Sequence, residues 1–339
     1  MNEVYLVNAA DELCTAYQQH YQLTQQLIEA LEKMSSYMPD AQLMKERADK
    51  MRDCGTTLVY GIDRNGVVGL VHANFCRQRI CPMCQWRRSL KAYSRLSAAV
   101  QLIGDDYRYF LMSLTRPNVS APDLPKELDE LMTGYNRLMK NERVARTIHG
   151  VYRTIEMTYN RDQNTFHPHI HCFCCVRKSY YTSRSYIKRD VMVQLWNDAN
   201  GWNRDDHGYD LQLDMRPVRE NKGRDYNGAI SEVCKYVTKP ISLFEEDRPT
   251  ALRAVQRQAA ATQMYLSGRR LVYTSGNIKQ ALHDLNSDND NAETDMYDDL
   301  TGELVSCTMY KHTDNGYEYA LSYTPEQSKK NICSDAHTA

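Results

Sequence analysis

The chain has 339 residues, of which 42% are hydrophobic and 25% charged, with only 15 Gly and 10 Pro. This composition excludes a collagen-like, Pro/Gly-rich or wholly disordered protein and predicts one sizeable globular unit with appendages. The net charge of -1 is uneven, because residues 281–339 carry 12 acidic and 3 basic residues and residues 1–280 carry a net +8. The average charge alone would argue against a nucleic-acid partner. A basic body with an acidic tail is compatible with one.

The start of the chain, MNEVYLVNAADELC, lacks the basic and apolar regions of a secretory signal. No run approaches the roughly 18 apolar residues of a membrane span. The 11 Cys are clustered and odd in number, which favours metal ligands or buried thiols over a disulfide framework. We therefore expect a cytoplasmic protein without a membrane partner.

The predicted elements divide the chain into four segments. Residues 1–50 predict one or two amphipathic helices, and residues 51–104 form a Cys-rich basic module that ends in a helix. Residues 105–282 mix the two element types and predict an α+β fold with an antiparallel sheet. Strands are predicted over 107–115, 151–160, 167–176, 211–218 and 269–276, and helices over 124–147, 185–199 and 225–239. Residues 283–339 are acidic and poor in apolar residues, so we expect a flexible tail.

A candidate zinc site lies in the Cys-rich module. Cys81 and Cys84 form a tight knuckle, and Cys76 lies five residues earlier. A structural zinc ion needs four ligands, for which Cys54 is the best fourth and His72 the alternative. A redox pair or buried thiols would also explain the cluster, but a redox pair would favour a βαβ setting that is not evident.

Basic residues surround the Cys knuckle. Between positions 77 and 95 there are six Arg or Lys and no Asp or Glu. Such a run beside a candidate zinc knuckle favours contacts with DNA phosphates over a merely solvated face. The residues predicted to make these contacts are Arg77, Arg79, Arg87, Arg88 and Lys91.

The segment HPHIH predicts a second metal site. Alternate side chains of a strand share a face, so His169 and His171 project together. Glu156, on the preceding strand, can reach the pair across a hairpin. Two imidazoles and a carboxylate suit a divalent cation and leave positions open for a substrate oxygen, whereas a lone histidine would more often be an ordinary surface residue. Two further candidate ligands remain alternatives, namely Asp214 and His167.

The predicted helix over 225–239 places Glu232 and Tyr236 four residues apart, on one face. A Tyr beside a metal-bound phosphate is a competent nucleophile, and a carboxylate one turn away could accept a proton from water. The spacing alone is typical of ordinary packing, so its meaning depends on the other motifs.

Together these motifs resemble the plasmid rolling-circle replication initiators of Gram-positive bacteria, the Rep_1 type of the His-hydrophobic-His (HUH) endonucleases. The matching segments are NFCRQRICPMCQWRRSLK (74–91), FLMSLT (110–115), HPHIH (167–171), EVCKYVTK (232–239) and GRRLVYTSG (268–276). The resemblance implies the HUH-endonuclease fold, with a central antiparallel sheet of about five strands and helices on its flanks. The His pair would lie on a central strand.

The resemblance also implies a function. Tyr236 would nick one strand at the double-strand origin and take its 5′-phosphate, with Mg²⁺ or Mn²⁺ at the His pair and Zn²⁺ at the Cys cluster. Glu232 would activate water at termination. The implied partners are plasmid origin DNA at a single-stranded or cruciform nick site and a host helicase and DNA polymerase, because the chain has no G-x-x-x-x-G-K-[ST] motif. A homo-oligomer at the origin is left open, and the alternatives are an HUH-type transposase and a non-catalytic zinc-containing DNA-binding regulator.

Overall fold

A computed structural model describes residues 2–34, 40–218, 226–235, 249–285, 296–297, 300 and 303–323. The helices are α1 (Asn2–Glu32), α2 (Ala41–Met51), α3 (Pro82–Ile103), α4 (Leu124–Lys140), α5 (Glu142–Thr147), α6 (Arg189–Asn200), α7 (Arg204–His207), α8 (Asn227–Cys234), α9 (Pro249–Tyr265) and α10 (Gly276–Asp284). The strands are β1 (Thr57–Asp63), β2 (Val68–Ala73), β3 (Tyr107–Thr115), β4 (Gly150–Asn160), β5 (Thr165–Arg177), β6 (Leu213–Pro217), β7 (Val272–Ser275), β8 (Leu304–Thr313) and β9 (Gly316–Tyr323). Within these ranges no helix has a stretch long and apolar enough to cross a bilayer.

The described residues form two compact units. The first contains the residues up to 91, residues 249–256 and the residues from 296 onward, and the second contains residues 92–235 and 257–285. Each unit is built around its own antiparallel sheet, with four strands in the first and five in the second.

The sheet of the first unit has the order β2-β1-β8-β9. The β1–β2 hairpin turns tightly because Asp63 Oδ1 accepts hydrogen bonds from the backbone N–H groups of Asn65 and Val67. Gly66 in this turn has φ +80°, which a residue without a Cβ adopts readily. On the other side of β1, strand β8 brings Cys307 into a buried cluster.

The flexible tail expected over residues 283–339 is wrong for residues 304–323, which form the β8–β9 hairpin. The acidic composition of the whole segment hides a stretch in which Cys307, Met309 and Tyr310 are buried. These side chains pack beside β1, more than 200 positions earlier in the chain. The rest of the predicted tail lies outside the described residues, apart from positions 283–285, 296–297, 300 and 303.

The second unit confirms the predicted α+β class and the sheet of about five strands. Its sheet has the order β6-β3-β5-β4-β7 with all neighbouring pairs antiparallel, so the histidine strand β5 is central. One face of the sheet packs against α4 and α6, where Leu128, Leu131 and Trp196 are buried. The other face packs against α3, α8 and α10. The sheet therefore holds the His pair on a strand that is fixed on both sides.

Two predicted helices are shorter in the structure. The helix expected over 124–147 is interrupted at Asn141, whose extended backbone and side chain begin α5 by accepting a hydrogen bond from the N–H of Arg143. The helix expected over 225–239 is α8, which ends at Cys234, and Lys235 is already extended. Tyr236 lies outside the described residues.

Candidate metal centres

Strands β4 and β5 bring together the three predicted ligands of the first site. Glu156 is paired directly with His169, and its Oε2 lies 3.4 Å from Nε2 of His169 and 3.1 Å from Nε2 of His171. The three possible ligand atoms all lie within 4.8 Å of one another. Glu156 and His169 are buried, and His171 is partly exposed. This group could therefore hold a metal ion while remaining open on the His171 side.

The histidine rings are oriented by contacts at their other nitrogens. Nδ1 of His169 lies 3.1 Å from the carbonyl oxygen of His167, and Nδ1 of His171 lies 2.9 Å from the Ser113 hydroxyl. A carbonyl oxygen can only accept, so Nδ1 of His169 carries a proton. Nε2 of His169 and the Glu156 carboxylate face each other, so a proton or a metal cation lies between them, and the latter is the arrangement of a metal site.

Glu156 is held in its charged form. Burial alone would raise the pKa of its carboxyl group, but hydrogen bonds with His169 and His171 outweigh burial and lower this pKa well below the usual range. A carboxylate that stays ionised can ligate a hard divalent cation.

The two alternative ligands lie elsewhere. Asp214 is paired with Ser113 on the neighbouring strand, and its carboxylate contacts Arg216. Nδ1 of His167 lies 2.6 Å from Oδ1 of Asn118. Neither Asp214 nor His167 belongs to the group of atoms that could share one ion within the described residues.

Glu232 lies on α8, which packs against β4 and β5. Ile230 and Val233 of this helix are buried with Phe173 on the face of β5 that also carries the His pair. The Glu232 side chain is half-buried, and its Oε2 lies 2.8 Å from Nζ of Lys235. Helix α8, which carries Glu232, therefore packs on the face of the sheet that carries the His pair.

The second site is formed by four thiols of the first unit. Cys54, Cys76, Cys81 and Cys84 could hold a metal ion together, whereas His72 is outside this group. The Sγ atoms of Cys54 and Cys84 are 3.5 Å apart, and two other pairs are 3.6 Å apart. A tetrahedral zinc ion with Zn–S bonds of about 2.3 Å separates its sulfur ligands by about 3.8 Å. The observed spacing fits such an ion.

The thiol cluster also stabilises a negative charge. Burial opposes ionisation of Cys81, but hydrogen bonds from the other three thiols lower its pKa well below the usual value. The hydroxyl of the fully buried Thr24 lies 3.9 Å from Cys81 Sγ and accepts a hydrogen bond from the N–H of Met83. Helix α1, which carries Thr24, thus contacts the Cys81–Cys84 knuckle.

The basic residues of the first unit have different surroundings. Arg87 is buried and donates two hydrogen bonds to the carbonyl oxygen of Met296, and Lys91 is buried and donates to that of Tyr297. Arg77 is exposed, and Arg79 is partly exposed. The partly buried Arg88 donates to the carbonyl oxygens of residues 77 and 78. The charged groups of Arg87 and Lys91 therefore donate hydrogen bonds to backbone carbonyls. The sequence had instead predicted that these groups contact DNA phosphates.

Sequence reasoning did not identify Ser113 as part of the first site. The sequence indicated Ser113 only through its position in the segment FLMSLT. The pairing of β3 with β5 places Ser113 opposite His171. Asn118, which fixes the neighbouring His167, gave no signal at all.

A central β-strand that carries a His-hydrophobic-His pair beside a carboxylate, within an α+β unit, defines the class of HUH proteins. Residues 67–328 match the Rep_1 family, described as replication protein, and the chain belongs to this family. The match confirms the resemblance inferred from the motifs.

Curated relatives are similar over much of the chain. A "Protein rep" of Streptococcus pneumoniae is 31% identical over 205 residues, which are 59% of this chain and 62% of that protein. A "Protein rep" of a Bacillus species is 29% identical over 71% of this chain and 81% of its own length. One of Staphylococcus aureus is 30% identical over 58% and 83%, respectively. No solved structure matches the chain significantly.

Proposed function

We propose that this protein initiates plasmid rolling-circle replication by nicking and rejoining one DNA strand at the double-strand origin. The observation that carries the proposal is the convergence of Glu156, His169 and His171 on one point of the central hairpin in a chain of the Rep_1 family. This arrangement suits the positioning of a phosphodiester, and a purely DNA-binding protein would have no use for it.

Tyr236 is the proposed nucleophile. Its phenolic oxygen attacks the scissile phosphorus, the bond to the 3′ oxygen breaks, and the DNA is left with a free 3′-OH and a 5′-phosphotyrosine. The ester keeps the energy of the broken bond, so the strand can be rejoined without a nucleotide cofactor. The 3′-OH then primes a host polymerase, while a host helicase opens the duplex.

Glu156, His169 and His171 would hold Mg²⁺ or Mn²⁺. When bound there, the cation would draw charge from the phosphate and favour attack at phosphorus. The chain's own contribution is orientation, since Ser113 and the carbonyl of His167 fix the two rings and direct both Nε2 atoms toward the Glu156 carboxylate.

Glu232 is the proposed acceptor of the proton from water at termination. This role is supported by the packing of α8 on the His face of the sheet and by the partial exposure of the Glu232 side chain. At termination, a water activated by Glu232 would cleave the regenerated nick site, and the new 3′-OH would attack the phosphorus of the 5′-phosphotyrosine, which closes the circle and frees Tyr236 without a second Tyr.

The four thiols would hold a structural Zn²⁺ that stabilises the first unit, with Cys54 as the fourth ligand. Arg77, Arg79 and Arg88, which follow or flank this cluster, are proposed to contact phosphates at the origin. Arg87 and Lys91 are not proposed for this role because they are buried, whereas Arg88 is partly exposed.

The test is incubation of the protein with a supercoiled plasmid that carries its origin, in the presence of Mn²⁺ or of a chelator. We expect open-circular DNA only with the metal and only with the origin. A plasmid that stays supercoiled would contradict nicking and favour the regulator. Nicks at the ends of a mobile element, and not at an origin, would favour the transposase.

A further inference from the structure

A second surface with the properties of a nucleic-acid contact lies at the end of β5 beyond the metal site. The segment 177–189, RKSYYTSRSYIKR, contains five Lys or Arg, three Tyr and no Asp or Glu. We call it the basic–aromatic loop. It runs from the last residue of β5 to the first residue of α6, and nothing in the proposed function uses it.

Hydrogen bonds hold the basic–aromatic loop in a defined conformation. The buried Tyr180 uses its hydroxyl both to donate to the carbonyl oxygen of Ile187, at 3.3 Å, and to accept from the N–H of Ile187, at 3.2 Å. The N–H of Lys178 donates to the carbonyl of Asp106 at 2.8 Å. Because both ends are held, the surface residues are presented without the ordering cost of a free loop.

The outward side of the loop combines cations and aromatic rings. Tyr181 and Tyr186 are each 38% exposed. Their ring centroids are 6.0 Å apart, and both rings contact the buried ring of Tyr180. The exposed cations around them are Arg177, Lys178, Arg184, Lys188 and Arg189.

A neighbouring helix adds a cation to this surface, and exposed acidic residues lie at its edges, among them Asp106 and Asp190. Arg143 of α5 is exposed and donates to the carbonyl of Tyr186. Its neighbour Glu142 is paired with Arg146. The first acid after the loop, Asp190, accepts a hydrogen bond from the N–H of Val191 in the first turn of α6.

The loop follows the strand that holds the metal ligands, and its Tyr180 and Ile187 are buried in the core on the face away from the His pair. Arg177 lies six residues after His171 and therefore on the same face of β5. Its guanidinium lies 4.9 Å from the ring centre of Tyr107. Six residues of β-strand, at about 3.3 Å each, separate the two positions by about 20 Å. A DNA strand advances about 3.4 Å per nucleotide when stacked, so about six nucleotides span this distance.

We propose that the basic–aromatic loop binds single-stranded DNA on one side of the nick site, with bases stacked on Tyr181 and Tyr186 and phosphates held by the surrounding cations. Exposed rings between cations suit unpaired bases, since every base has a π-face that is available only outside the duplex. Phosphate contacts alone would need no rings. The choice of DNA as the ligand rests on the proposed function, but the binding itself can be tested without any nicking.

The experiment measures binding of fluorescent oligo(dT) and of a duplex of equal length to the full chain without divalent metal. Y181A/Y186A should weaken oligo(dT) binding at least about tenfold, because each base stacked on a ring is lost. Y181F/Y186F keeps both rings and should bind as the wild type does. R184A/K188A should lower the slope of log K against log salt by about 1.4 if each cation neutralises one phosphate of a single strand.

A matched control changes a ring and a cation outside the loop. Tyr209 is 50% exposed, and the side chain of Lys126 is 82% exposed. Y209A/K126A should leave oligo(dT) binding unchanged. Circular dichroism of every variant should match the wild type, since only exposed side chains are altered.

The outcomes separate the loop from the proposed nicking function. Unchanged oligo(dT) binding by Y181A/Y186A would overturn the loop proposal, as would an equal loss of duplex binding, and both would leave nicking at the origin intact. If the wild type fails to nick any plasmid but the loop variants lose oligo(dT) binding as expected, the loop proposal stands and the proposed function fails.

Discussion

Glu156 of β4 lies directly opposite His169 of β5, and the two side chains face each other at 3.4 Å between Oε2 and Nε2. Nδ1 of His169 donates to a backbone carbonyl, so a cation or a proton lies between Nε2 of His169 and Oε2 of Glu156. Each of the other predicted roles can be tested by a substitution with a matched control.

His169→Ala should abolish metal-dependent nicking while leaving origin binding near the wild-type level. We expect a loss of at least about a thousandfold, because several kcal/mol of charge stabilisation at the phosphate disappear. The control is His167→Ala, since His167 lies on the same strand but its Nδ1 contacts Asn118. Gel assays of plasmid nicking and binding measure both quantities, and equal losses in the two variants would argue against the ligand assignment.

Ser113→Ala should weaken Mn²⁺ binding about 10- to 100-fold, because the contact that orients His171 is removed while every ligand remains. Titration calorimetry with Mn²⁺ reads this directly, without DNA. Thr115→Val is the matched control, since the Thr115 hydroxyl donates to the carbonyl of Gln212. An unaltered Mn²⁺ affinity in Ser113→Ala would show that the hydroxyl has no positioning role.

Glu232→Ala should still nick and form the adduct but release the strand slowly, so that multimeric products accumulate. Loss of a general base lowers the rate of a proton-transfer step by about 10²- to 10⁴-fold. Lys235→Ala removes the ion pair but keeps the carboxylate and should terminate normally. Monomeric circles from Glu232→Ala, resolved on a gel, would assign the water to another group.

The purified protein should contain one zinc ion per chain, measured by elemental analysis. Cys81→Ser should lose that ion and lower the melting temperature, because binding free energy at a structural zinc site contributes to folding. Cys307→Ser alters a buried thiol of the same unit outside the cluster and should keep the zinc. Retention of zinc by Cys81→Ser would refute the four-thiol site.

The sequence predicted most of the second unit because its signals are local. The alternation of apolar residues placed β4 and β5 and assigned Glu156 to the face of the His pair. It could not determine the register, which pairs Glu156 with His169, because periodicity defines only a face. Ser113 was missed for the same reason, since its contact depends on how β3 pairs with β5.

The first unit was less predictable because its contacts are long-range. Cys54 and Cys76 are 22 positions apart, and the β1–β2 hairpin returns the chain so that the N–H of Cys76 reaches the sulfur of Cys54 at 3.4 Å. Spacing alone could not choose between Cys54 and His72. Strands β8 and β9 were missed because the acidic average of residues 283–339 concealed the buried residues of β8.

The most direct test of the central claim is to trap the protein on a single-stranded origin oligonucleotide with Mn²⁺, digest the product with protease and identify the modified peptide by mass spectrometry. We predict a 5′-phosphorylated DNA fragment attached to Tyr236 and no adduct in Tyr236→Phe. An adduct on another residue would move the nucleophile, and a cleaved strand with no covalent adduct at any residue would contradict the phosphotyrosine mechanism itself.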